Sequence, residues 1–250
     1  MNVDRWVVVT GASSGIGKKT AEILINTGYK VVVTSRSEEK LNELFEEFDS
    51  DFYKIICWDL SNLDSIKDYS NIVNKEVGAI SGLVHCAGIQ SILPMHLINQ
   101  KKILDNFNIN TFAGMLLVSN FSKKGYFTEN KSSFILISSL SAHEGALGRS
   151  VYGSSKGALE GFLLPAACEL MYKGIRLNVI IPGVVNAGQG KDYISRLSEN
   201  QLEELSRSYP LGTNDDVDIA NMIEYLLSDK SNKITGQKII IDGGHMVRKI

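Results

Sequence analysis

The segment VYGSSKGALEGF, residues 151–162, sets a phenol and an ammonium four residues apart. A tyrosine titrates near pH 10 and is a poor acid–base group at neutral pH. A cation close by stabilises the phenolate and lowers that value. Positions i and i+4 share a helix face, so Lys156 can approach Tyr152 from the next turn. Only Gly153, Ser154 and Ser155 intervene, which leaves that face open for a ligand. Upstream, ILISSLSAHEG ends an apolar run in hydroxyls, and Ser139 stands where it could hold a carbonyl oxygen while Tyr152 protonates it. The chemistry would be general acid–base transfer at a carbonyl. Each part has a plain alternative: a Tyr and a Lys at this spacing are common, and serines at strand ends are ordinary turn formers.

Such groups need a scaffold. Short β-branched runs alternate with longer segments of helical period. WVVVTG is apolar on both faces, as a buried parallel strand should be. GKKTAEILINTG follows, with Ala21, Leu24 and Ile25 on one face and Gly28 as its stop. Then come YKVVVTS, the amphipathic EEKLNELFEEF, YKIICWD, a helical LDSIKDYSNIVNKEVG, GLVHCAG, and a long helical stretch to about residue 124. SFILISS precedes a helix over about 151–173; IRLNVIIPG, an irregular amphipathic segment, a helix over DVDIANMIEYLLS, and QKIIIDGG complete the chain. Seven strands alternating with six helical regions predict an α/β fold: one doubly wound, Rossmann-type domain over residues 1–250, with a seven-stranded parallel sheet and helices on both faces. Right-handed crossovers place helices on both faces, and ligands are expected at the carboxyl ends of the strands.

The first strand ends in TGASSGIGKK, with Gly11, Gly15 and Gly17 in a G-x-x-x-G-x-G spacing. Glycines there permit a tight strand-to-helix turn and close approach of a pyrophosphate to the free N–H groups of the next helix. The alternative is a glycine-rich turn that binds nothing. At the end of the second strand stand Ser35 and Arg36, about 20 residues past the glycines, where an adenosine ribose belongs. An acidic residue there would bond a ribose 2′-hydroxyl and repel a 2′-phosphate, whereas a guanidinium bonds phosphate. NADP(H) is therefore favoured over NAD(H), unless Arg36 is merely solvated and paired with Glu38 or Glu39. Asp59, in CWDLSN, suits either an adenine amino group or a turn.

In order, TGASSGIG, CAG, NTFAG, SS, YGSSK, PG and DGG resemble the short-chain dehydrogenase/reductase family over almost the whole chain. The nearest likeness is to NADPH-dependent 3-oxoacyl-carrier-protein reductases and related carbonyl reductases. Ser139 stands thirteen residues before Tyr152, as in that family. The resemblance implies that Tyr152 is the general acid in reduction and the base in oxidation. It implies that Lys156 lowers the tyrosine pKa and bonds the nicotinamide ribose, that Ser139 positions the substrate oxygen, and that Asn110 holds a water in a proton relay. Without it, Asn110 reads as a helix-kink or capping residue. It further implies a dinucleotide held by Gly11, Ser13, Ser14, Gly15, Ile16 and Gly17, by Ser35, Arg36, Asp59 and Leu60, and by Cys86, Ala87 and Gly88. Tyr152, Lys156, Pro182, Gly183 and Val185 would close around its nicotinamide end.

The chain departs from the family in three places. Cys86 replaces the usual asparagine before Ala-Gly, Ala187 stands where a threonine often bonds the carboxamide, and no basic residue precedes Gly15. Cys86 reads as a buried inert thiol or, alternatively, a reactive one. Residues 184–214 form a candidate substrate lid: Gly188 and Gly190 suggest a hinge, and Ile194, Leu197, Leu202 and Leu205 an amphipathic helix. The plain alternative is an ordinary surface excursion. His143 and Glu144 are placed to line the pocket or to be exposed loop polars, and His245 reads as a tail residue. No cationic cluster names an acidic substrate. Lys131 and Lys173 fall near places where carrier-protein reductases dock their acidic partner, so a carrier-bound substrate stays open beside a sugar, polyol or small ketone.

The 250 residues carry 26 Lys+Arg against 28 Asp+Glu, a balance that points to neither nucleic acid nor an anionic membrane. No run reaches a membrane span. Three scattered cysteines show no metal spacing and no disulfide framework, so no metal is expected and a cytoplasmic setting is. The N-terminal residues show no signal-peptide layout. The expectation is an NADP(H)-dependent carbonyl reductase, with a sugar or polyol dehydrogenase as the alternative within the family and a catalytically silent NADP-binding sensor or regulatory subunit as the alternative outside it. The retained tyrosine, lysine and glycine turn argue against silence. A homotetramer or homodimer is implied by the resemblance.

Overall fold

The structure is a computed structural model and describes residues 5–247. Seven parallel strands form one sheet: β1 (Trp6–Thr10), β2 (Lys30–Thr34), β3 (Tyr53–Ile55), β4 (Gly82–His85), β5 (Ser132–Ile137), β6 (Ile175–Pro182) and β7 (Lys238–Ile241). Their order is β3-β2-β1-β4-β5-β6-β7, so the chain reverses direction across the sheet between β1 and β4. That switch point opens a crevice at the carboxyl ends. Register sets Thr10 beside both Thr34 and His85 at this edge.

Alternation along β1 sorts its side chains. Val7 and Val9 pack with Ala21 and Leu24 of α1 (Gly15–Asn26), Leu41 and Phe45 of α2 (Glu38–Phe45), and Ile219 and Ile223 of α9 (Asp216–Leu227). Val8 faces the other way. It joins Tyr69 of α3 (Ile66–Val77), Leu117 and Phe121 of α5 (Ala113–Phe121), and Leu159 and Leu163 of α6 (Ser150–Met171). Both faces are covered, as unbroken apolar strands require.

Two expectations are refined. The stretch running to about residue 124 is not one helix: α4 (Gln100–Phe107) passes through a π-helical turn, Asn108–Phe112, before α5 begins. The irregular segment contains two helices, α7 (Gly188–Ile194) and α8 (Glu199–Ser208). An isolated bridge, Val185 to Asn214, closes the base of this excursion. Gly190 is no free hinge, because a Cβ there would overlap the carbonyl oxygen of Val185. Among the described residues no helix is long and apolar enough to cross a membrane.

Candidate active site

A cleft of about 890 Å³ runs along the carboxyl edge of the sheet. All the anticipated cofactor-binding residues line it, from the glycine turn (Gly11, Ser13, Ser14, Gly15, Ile16, Gly17) through Ser35, Arg36, Asp59 and Leu60 to Cys86, Ala87 and Gly88. Ser139, Tyr152, Lys156, Pro182, Gly183 and Val185 line its other end. Asn110 does not reach the wall and is fully buried behind it.

The glycine turn is a cradle that side chains would fill. Gly11 has φ +68°, and a Cβ there would stand 2.8 Å from the Ala87 nitrogen. A Cβ on Gly17 would overlap the Gly11 carbonyl. The N-cap Ser14 makes no side-chain cap bond, and the first turn of α1 holds no acidic residue, so its positive end is not neutralised locally. At the far end of this wall, Arg36 is exposed, and no ion pair joins it to Glu38 or Glu39 among the described residues. Asp59 accepts from the Ser61 nitrogen at 3.0 Å and from Ser61 Oγ at 2.7 Å, a turn that still faces the cleft. These bonds, aided by the Arg36 charge, hold its carboxyl below the ordinary value despite an opposing desolvation effect. Taken together, the open glycine backbone, the uncapped helix start and the unpaired guanidinium fit a dinucleotide.

The loop after β4 is braced from beneath. The Ala87 N–H donates to Thr10 Oγ1 at 3.1 Å, and Thr10 Oγ1 lies 3.0 Å from His85 Nδ1. Cys86 sits in this loop, and burial pushes its thiol up to about 12, as expected of an inert thiol. Asn110 occupies the π-helical turn. Its Oδ1 accepts from the Ile89 nitrogen at 2.8 Å, while Nδ2 donates to Ile89 O at 2.9 Å and Ser155 Oγ at 3.0 Å. The extra residue of the π turn aims this amide between the loop and α6.

Helix α6 carries Tyr152 and Lys156. The Ser139 hydroxyl and the Arg149 charge both act to lower the Tyr152 phenol pKa. Burial is the larger effect, so Tyr152 stays above the ordinary value. Lys156 is not the cation that acts on it here. Its Nζ donates 2.8 Å to the Ile137 carbonyl at the end of β5, and burial lowers it to about 8. The expected depression of Tyr152 by Lys156 is therefore corrected: an i+4 spacing puts the two on one face but does not choose where a long side chain ends. The small residues between them also serve packing. A Cβ on Gly153 would overlap the Ser141 carbonyl, and Ser155 lies fully buried beneath Asn110.

Glu144 lines the cleft as anticipated, but His143 turns away to the buried Glu160, 2.9 Å off. His245 is not a loose tail residue. Its Nε2 lies 2.9 Å from Glu144 Oε2, and its ring stacks on Tyr209 at 4.7 Å. Sequence reasoning singled out neither Arg149 nor Gln189, Tyr193 and Tyr209, all of which line the cleft. Gln189 Nε2 donates to the Gly88 carbonyl at 3.0 Å and thereby ties α7 to the loop after β4. Arg149 alone left a local signal, standing three residues before Tyr152 on one helix start. No cluster of three or more His, Cys, Asp or Glu that could hold a metal occurs among the described residues.

A family model described as enoyl-(acyl carrier protein) reductase matches residues 11–246. A diacetyl reductase [(S)-acetoin forming] of Staphylococcus epidermidis is 28% identical over 98% of this chain and 100% of its own. A 3-oxoacyl-[acyl-carrier-protein] reductase of Bos taurus is 29% identical over 97% of this chain and 98% of its own. Among solved structures, a short-chain type dehydrogenase/reductase from Mycobacterium ulcerans superposes with a TM-score of 0.88 at 28% identity, covering 99% of this chain and 91% of that one. The structure titled ElxO with NADP bound gives 0.86 at 26% identity, covering 98% and 100%.

Proposed function

The chain belongs to the short-chain dehydrogenase/reductase family, oxidoreductases of carbonyl and alcohol groups that use nicotinamide cofactors, and from that premise we propose that it is an NADP(H)-dependent reductase of a carbonyl substrate. The observation that carries this reading is the convergence of Ser139, Tyr152 and Lys156 on the cleft that the glycine turn opens at its other end. A bound reduced nicotinamide supplies the hydride for the carbonyl carbon. The protein supplies the proton and the orientation.

Ser139 Oγ–H, lining the same end of the cleft as the phenol, donates to the substrate oxygen. Tyr152 gives its phenolic proton to the same oxygen, so one C–H and one O–H replace the carbonyl π bond. Lys156, with its pKa lowered to about 8, exchanges protons near neutrality and is the next donor inward. Asn110 holds the Ile89 loop and Ser155 in register with it, and in this reading is where a relay water would dock. The reverse order of proton steps serves alcohol oxidation.

Preference for NADP(H) is supported by Arg36, which is cleft-lining and unpaired among the described residues, with Ser35 in place of an acid. Residues 184–214 act as the substrate lid, supported by Tyr193 and Tyr209 on the same cleft wall as Tyr152. A homo-oligomer is supported by exposed apolar side chains along α4, the π-helical turn and α5, Leu104, Phe112 and Leu116 among them. Three free cysteines suit a reducing cytoplasm. The test is titration with NADPH and NADH, followed by NADPH oxidation on diacetyl, an acetoacetyl thioester and keto-sugars. NADPH binding with turnover on one class upholds the reading. Failure of folded protein to bind either nucleotide overturns it.

A further inference from the structure

Arg149 stands at the Tyr152 end of the cleft, as the N-cap residue just before α6. Its guanidinium carbon lies 4.8 Å from the centre of the Tyr193 ring on α7, and Nη1 donates to Ser141 Oγ at 3.2 Å. The stack and the hydroxyl hold the planar fork in place. Its charge reaches both Tyr152 and Tyr209, acting to lower each phenol.

A guanidinium has five N–H donors, and Ser141 takes one. Other charges at this end are already matched. Glu144 is bonded to His245, Lys101 to Asp105 at 2.7 Å, and Lys156 to a backbone carbonyl. Among the described residues no carboxylate lies within ion-pair distance of Arg149. The cleft therefore holds a fixed guanidinium with no carboxylate partner among the described residues, three residues before Tyr152.

We propose that Arg149 recognises an anion on the substrate, and that the substrate is an oxo acid carrying a free carboxylate a few bonds from its reducible carbon. This rests on the reductase reading. Arg149, the N-cap residue of α6, stands three residues before Tyr152 and lines the same end of the cleft, which suits an anion and a reducible carbon within one small molecule, as in 2-oxo and 3-oxo acids. One planar fork matches one carboxylate edge to edge; a phosphate dianion would call for further cations. A thioester offers no anion at this position.

The test uses acetoacetate and its uncharged methyl ester. Calorimetric titration of the protein, with and without NADP+, is run on the wild type, Arg149→Gln and Arg149→Lys, and NADPH oxidation is then measured on the same pair. The expected result is at least tenfold tighter binding of the acid than of the ester. In Arg149→Gln the acid-to-ester ratio falls toward one, and Arg149→Lys retains part of it. The ratio cancels any change in Tyr152 that follows loss of the charge. Equal binding, no binding of either compound, or a preference that survives Arg149→Gln overturns the proposal. Arg149-dependent binding of the acid without NADPH oxidation on acid, ester or diacetyl counts against the reductase reading and leaves the anion site standing.

Discussion

His85 donates its Nε2 proton to the carbonyl oxygen of Ile109, 3.0 Å away at the π-helical turn. A carbonyl can only accept, so the proton belongs on Nε2. The other nitrogen then accepts from Thr10 Oγ1, whose own lone pair takes the Ala87 N–H. One neutral imidazole thus joins β1, β4 and the π turn beneath the cofactor loop. Burial, with the Lys156 charge adding to it, lowers His85 to about 4. Unfolded histidine titrates near 6.5, so between 6.5 and 4 the unfolded chain holds a proton that the fold refuses. Stability from this site is complete above pH 6.5 and falls as pH drops to 4, by about 3 kcal/mol in all. Urea denaturation at successive pH values should show that slope, and His85→Gln should remove it.

Asn110 has a structural load separate from any catalytic one. Asn110→Ala removes its bonds to the part-buried Ile89 N–H and carbonyl, each worth about 0.5–1.5 kcal/mol. The expected outcome is a lower denaturation midpoint as well as lower turnover. An unchanged midpoint would show that the Ile89 loop is held by other contacts.

Tyr152→Phe keeps the ring and deletes the proton. Turnover should fall by about 10²–10⁴-fold. NADPH affinity should hold, since the glycine turn is untouched. Turnover at the wild-type level would remove Tyr152 from the proposed role.

Arg36→Ala should weaken NADPH binding by about 10–100-fold, the worth of a charge-assisted phosphate contact. NADH binding should change little. Equal losses for both nucleotides would mean that Arg36 does not read the 2′-phosphate.

Gly190→Ala tests the seat of α7. The new methyl overlaps the Val185 carbonyl, so the helix must leave its place over the end of β6. Tyr193 and Gln189 move with it. The expected outcome is a raised KM for the carbonyl substrate and faster proteolysis within residues 184–214. Gly28→Ala makes a comparison, since its Cβ would meet no neighbour and only the φ of +85° is strained.

Much of this protein was legible in its chain. Short β-branched runs and segments of period 3.6 marked seven strands and most helices, because burial of apolar side chains follows local repeat. The glycine turn, Ser139, Tyr152 and Lys156 were legible because their spacing is local or anchored to strand ends. What the chain could not show was where long side chains end and which distant segments meet. Lys156 turns to Ile137 and not to Tyr152, since a buried ammonium seeks the nearest carbonyl. Arg149 stacks on Tyr193, Gln189 reaches Gly88, and His245 crosses to Glu144. Those pairings join segments between 44 and 101 residues apart, and no sequence period encodes them. The sequence by itself determined the sheet, the cleft and the proton donor. Only the tertiary structure decided which side chains around Tyr152 find partners and where Arg149 comes to rest, because such pairing depends on distances that folding alone sets.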